Sequence, residues 1–113
     1  MESNKLMTIS FETFADELTY AAVPVEVLAI LRRSFTDTIG VAAVGSTTPL
    51  SKIARRVAPM LFGSGTIGTS RMLMDGTAVS PAGAAMAGAF TIDSIDAHDG
   101  TTPSKGHAGS AIF

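Results

Sequence analysis

The chain has 113 residues, enough for one domain that buries roughly two-thirds of the surface its unfolded form exposes, and too few for a second. Its net charge is −2 and its eight basic residues are scattered, with only Arg32-Arg33 and Arg55-Arg56 adjacent, so no basic stripe for a nucleic-acid backbone forms. There is no cysteine, which excludes disulfide and thiolate chemistry and fits a reducing compartment, with the cytoplasm as the expected location. No apolar run reaches the ~18 to 20 residues of a membrane span, and the first ten residues lack a signal-peptide core. Apolar residues make up 46% and charged residues 16%, a balance that calls for cover from more chain or a second subunit.

The first predicted element is a short amphipathic helix from Ser10 to about Ala22, with Ser10 as N-cap and Phe11, Phe14, Ala15 and Leu18 on one side. Pro24 suits the first position of a second helix, with an apolar stripe of Leu28, Leu31, Phe35, Ile39 and Ala42, ending at Gly45-Ser46-Thr47-Thr48-Pro49. A third helix starts after Thr48, with Ile53, Val57 and Met60 or Leu61 inward, and Pro59 should end or kink it. Glycines at 63, 65, 68 and 76 predict a loop or short hairpin near 63–77. Gly63 to Gly68 fits G-x-G-x-x-G, but a dinucleotide site needs a strand before it and a helix opening within it, and neither is predicted.

Ser80-Pro81 reads as the cap and first residue of a fourth helix running to about Ile95. Its run from Ala82 to Ala89 has no bulky side chain except Met86 and so admits close approach of another backbone. Both histidines and three acids fall in the window from Asp93 to His107, where this helix passes into a Gly/Pro/Ser/Thr loop. Acids at a helix C-terminus oppose its dipole, so they do not serve helix stability, and loops on a rigid scaffold are where catalytic groups tend to sit. The alternative is a set of solvated acids with incidental histidines. A metal site built from Asp93, Asp96, His98, Asp99 and His107, as in a metal-dependent hydrolase, is a further reading, without diagnostic spacing. Acid–base chemistry by a carboxylate and an imidazole on a carbon acid is another, with Lys105 holding an anionic substrate.

The wording of these segments resembles the MmgE/PrpD family, which includes 2-methylcitrate dehydratase, cis-aconitate decarboxylase and iminodisuccinate epimerase. Ser34-Phe35-Thr36-Asp37-Thr38-Ile39-Gly40 is similar to the family's Leu-Leu-Asp-x-x-Gly-type stretch, and Ala84 to Ala89 to its small-residue helix. Ile95-Asp96-Ala97-His98-Asp99 followed by His107-Ala108-Gly109 resembles its acid-rich segment and later histidine turn. His98 stands where an acid is common, and the spacer from Gly100 to Gly106 departs from the decarboxylase pattern. The wording looks most like the epimerase branch.

The resemblance implies Asp96 and His107 as catalytic residues, with His98, Asp99 and Lys105 contacting substrate. It also implies a small polycarboxylate substrate, no metal, no organic cofactor, and a homodimer with a helical main domain and a smaller α/β lid. The family's other catalytic residues, further histidines, lysines and a tyrosine, lie downstream, and Tyr20 and Lys52 do not match them. The expected fold is therefore all-α: residues 1–113 form the truncated N-terminal segment of a helical-bundle domain, inactive alone. A complete, non-catalytic helical interaction module is the competing expectation.

Overall fold

The structure, a computed structural model, describes residues 10–63, 68–97, 100–101 and 106–112. Two compact units are present, Met1–Leu31 and Arg32–Phe113. The first holds α1 (Phe11–Glu17), a 3-10 turn (Tyr20–Ala22) and the start of α2 (Val25–Gly45). The second holds the rest of α2, then α3 (Pro49–Leu61), β1 (Ser70–Arg71), β2 (Ala78–Val79), α4 (Pro81–Asp93), β3 (Gly100–Thr101), β4 (Gly106–His107) and a closing 3-10 turn (Ala108–Ile112).

The chain is mostly helical but not all-α. One hairpin, β1–β2, pairs Ser70 with Val79 and Arg71 with Ala78, overlapping the hairpin expected near 63–77. A second pair among the described residues, β3–β4, joins Gly100 with His107 and Thr101 with Gly106, and nothing in the sequence periodicity announced it. Residues before Gly63 form α3 rather than a strand, which removes the strand that a dinucleotide loop requires.

Helix starts follow the sequence closely because capping is a local event. Ser10, Thr48 and Ser80 each sit in extended backbone, and their hydroxyls accept from the backbone N–H of Thr13, Ser51 and Gly83 at 3.2 Å. Pro49 and Pro81 occupy first-turn positions, where a missing N–H costs nothing. Pro24 lies one residue outside α2, its carbonyl accepting the N–H of Leu28 at 3.0 Å. The first helix is shorter than expected, closing at Leu18. Pro59 is tolerated in the last turn of α3, which ends at Leu61 with the Phe62 N–H on the Ala58 carbonyl at 2.7 Å.

Helix faces follow the expected stripes only in part: Ala42 is buried as expected, but the bulky members are not. In α2 the buried residues are Thr38, Val41, Ala42 and Gly45, whereas Leu31 and Phe35 are about half exposed. In α3 they are Ser51, Ala54 and Ala58, and Ile53, Met60 and Leu61 face outward. The reason lies in α4, whose buried residues are Gly83, Ala87, Gly88, Thr91 and Ile92. A helix surface of glycine and alanine offers no deep grooves for leucine or phenylalanine, so its neighbours present small residues and the backbones close together.

Gly45 shows how close. A Cβ there would lie 2.2 Å from the Thr91 carbonyl oxygen and 2.8 Å from Ser94 Oγ. A Cβ on Gly83 would lie 2.7 Å from the Cβ of Phe62. Two apolar clusters fill the remaining space: Ala58, Met72, Val79 and Ala87 on one side, and Val41, Ala42 and Ile92 with Leu73 and Ile95 on the other. Between α3 and α4 the Ser51 and Thr91 hydroxyls meet at 2.6 Å in the buried interior. Arg55 ties the β1–β2 turn to the end of α2: Nη2 donates to the Ser46 carbonyl, and Nη1 lies 3.6 Å from the Asp75 carboxylate.

Candidate active site

The Asp96 carboxylate and the His107 imidazole meet. His107 Nε2 lies 2.6 Å from Asp96 Oδ1, within hydrogen-bond distance. The two residues come from different elements. Asp96 sits in the turn that follows α4, where its N–H donates to the Asp93 carbonyl at 3.1 Å. Its backbone is left-handed, with φ +51°, a conformation aspartate visits more readily than most non-glycine residues. Asp96 lies three residues beyond the last helical residue, Asp93, and from there its carboxylate meets the side chain at the end of β4.

His107 ends β4 opposite Gly100, and its carbonyl accepts the Ser110 hydroxyl at 3.0 Å as the chain enters the closing 3-10 turn. That turn packs on α4, so the element carrying Asp96 also supports the element carrying His107.

The two side chains differ in exposure. That of Asp96 is 83% exposed and that of His107 30%, so the carboxylate faces solvent and the imidazole is sheltered behind it. A carboxylate accepting from one imidazole nitrogen holds the proton on Nε2 and fixes the ring's orientation. Such a pair can take up or release a proton at the surface of the fold.

Of the other residues singled out in the sequence, His98, Asp99 and Lys105 lie outside the described residues. Asp93 ends α4 with its side chain exposed. Among the described residues no group of three or more histidine, cysteine or acidic side chains is gathered as a metal site would require. An open groove of about 720 Å³ runs along α2, and its lining includes Arg32, Arg33, Thr36, Asp37 and Gly40 together with Ile95, the residue before Asp96. Sequence reasoning assigned no role to Ser94 or Gly45, which hold the start of the Asp96 turn: Ser94 Oγ lies 2.7 Å from the Thr91 carbonyl and 3.1 Å from that of Gly45.

A family model described as the MmgE/PrpD N-terminal domain matches residues 10–113. The chain belongs to the MmgE/PrpD family. The match covers both units and every element of the site, from the Ser10 cap to the closing turn. This family includes dehydratases and lyases. Neither the curated proteins nor the solved structures gave a significant match. None of the described helices is long and apolar enough to cross a membrane.

Proposed function

We propose that this MmgE/PrpD domain contributes Asp96 and His107 to the active site of a cofactor-independent lyase or isomerase acting on a small di- or tricarboxylate. The contact between His107 Nε2 and Asp96 Oδ1 carries this reading. In the reaction, a proton leaves the carbon next to a substrate carboxylate for the Asp96–His107 pair. The electron pair of that C–H bond is delocalised into the neighbouring carboxylate as an enediolate. Delivery of a proton to the opposite face by a second acid, from the rest of the enzyme, gives epimerisation, while the pair keeps the abstracted proton for exchange with water; departure of a group from the adjacent carbon gives elimination. His98, Asp99 and Lys105 supply substrate contacts, and the wording around them favours the iminodisuccinate epimerase branch.

The pair accounts for the proton but not for the charge that develops, and it contains no cation. In this reading Lys105 alone does not suffice for that charge, and the domain acts with the downstream histidines, lysines and tyrosine that the resemblance places in the rest of the enzyme, as a cytoplasmic homodimer, and is inactive without them. The test is deuterium incorporation next to the carboxylate in a panel of small di- and tricarboxylates in D₂O. The enzyme containing this domain exchanges at least one of them, and Asp96→Asn or His107→Gln lowers the rate by about 10² to 10⁴. Stoichiometric, tight zinc or manganese binding by calorimetry, lost in the double variant His98→Ala, His107→Ala, together with no exchange of any panel member, would establish a metal-dependent hydrolase instead.

A further inference from the structure

Asp96 has to be presented at a fixed height above β4, and the turn that carries it begins at Ser94. The Ser94 hydroxyl has one proton and two carbonyls within reach, that of Thr91 three residues back at 2.7 Å and that of Gly45 at 3.1 Å. The first is a local bond that many helix ends make. The second crosses to the end of α2, 49 residues away in sequence. The Gly45 carbonyl also accepts the Thr48 N–H at 3.0 Å and the Thr48 hydroxyl at 2.8 Å, so it is itself held by the cap of α3. Because Gly45 has no Cβ, α4 approaches until the Thr91 oxygen occupies the place a Cβ would take. Two residues beyond Ser94 stands Asp96, left-handed and 2.6 Å from His107.

We propose that Ser94 and Gly45 are positioning residues for Asp96: the end of α2 is the support against which the Asp96 turn is set, and it fixes the carboxylate at hydrogen-bond distance from His107. The inference rests on the reading of Asp96 and His107 as the reacting pair. The support acts through geometry. A hydrogen bond of 2.6 Å is lost on a displacement of about 1 Å, so a small relaxation of the turn is enough to break the pair.

The test reads the pair directly, in the full chain and without substrate. The imidazole N–H of His107, held by Asp96, gives a downfield proton resonance in slow exchange with water; carrying His98→Gln in every sample leaves His107 as the sole imidazole source. Ser94→Ala speeds exchange of that proton about tenfold or more. The Ile92 amide, buried in α4, keeps its exchange rate, and Ser94→Thr restores the His107 signal. A uniform loss of stability would speed both protons, so the split between them separates positioning from support of the fold. If Ser94→Ala does not fold, Ser94→Cys, close in size with a weak donor, is read in the same way. Unchanged His107 exchange in the folded variant, or equal acceleration at Ile92, would overturn the proposal. Its failure is distinct from that of the function: deuterium incorporation into a carboxylate tests the reaction, and this exchange rate tests the support.

Discussion

Gly45 and Gly40 lie five residues apart in α2 and should respond to alanine with opposite signs. At Gly40 an added Cβ meets nothing within 4 Å, so Gly40→Ala brings only the helix preference of alanine, about 0.8 to 1 kcal/mol of stabilisation. At Gly45 the same methyl lands 2.2 Å from a backbone oxygen that no rotamer change can move. Relief requires α2 and α4 to part by about 1 Å, an overpacking cost of about 1–3 kcal/mol. The tie from Ser94 to the Gly45 carbonyl is lost with it, a further 1 kcal/mol or so, while alanine returns part of 1 kcal/mol through helix preference. The net is a destabilisation of about 2–3 kcal/mol. Urea unfolding followed by far-UV circular dichroism measures both variants against the parent, and Gly40→Ala should move the thermal midpoint up by roughly 4–8 °C. If Gly45→Ala proves as stable as Gly40→Ala, the backbone contact between α2 and α4 is not made in solution, and the account of why small residues choose these faces fails with it.

The buried hydroxyl pair gives a sharper result in a double-mutant cycle. Thr91 commits its proton to the Ala87 carbonyl at 2.7 Å, so Ser51 donates to Thr91; Thr91→Val should cost about 1–3 kcal/mol by stranding that donor, and adding Ser51→Ala should recover most of the loss. Arg55→Ala should cost about 2 kcal/mol through its charge-assisted bond to Ser46, whereas Asp75→Asn, at a partly exposed pair 3.6 Å apart, should cost under about 1 kcal/mol, both read by urea unfolding. Glu12 has a carboxyl held below its ordinary range, first by a hydrogen bond from backbone N–H and next by Ser10. Its folded-state pKa is depressed, so its contribution to α1 is present above the unfolded value and disappears as pH falls through the lowered one. Amide chemical shifts of residues 11–17 should therefore move toward random coil on acidification below the ordinary glutamate range, and the acid dependence should shrink in Ser10→Ala.

What could be read from the sequence divides along the range of the interactions. The caps at Ser10, Thr48 and Ser80 were legible because a hydroxyl three residues before an N–H needs nothing else to form. The tight packing of α4 was legible for the same kind of reason: its small side chains leave room for another backbone whatever the partner. The buried faces of α2 and α3 were not legible. Periodicity weighs Phe35 and Ile53 above Thr38 and Ser51, and α4 selects by size instead. The second hairpin escaped because two-residue strands in a loop of glycine, serine, threonine and proline carry no alternation to detect.

At the site, Asp96 and His107 stood out as titratable groups at a helix end and by resemblance. Their meeting depends on a left-handed aspartate and on the pairing of His107 with Gly100, and neither is encoded in a pattern. Ser94 gave no signal at all. A serine after a helix is ordinary, and its partner is a carbonyl 49 residues away.

The alanine- and glycine-rich interior reverses the usual logic of mutational scanning. Of the eight buried apolar side chains among the described residues, Ala42, Ala54, Ala58 and Ala87 have nothing to truncate, and Ser51 and Gly83, which hold the same interfaces, have little or nothing. Truncation across these helices would thus record a string of near-silent positions, and an alanine scan would register chiefly where it enlarges, at Gly45 and Gly83. Enlargement is the informative direction. Gly83→Ala would set a Cβ 2.7 Å from the Cβ of Phe62, an atom that no rotamer change moves, and Ala58→Val would overfill the cluster with Met72, Val79 and Ala87, so variation here should run toward equal or smaller size.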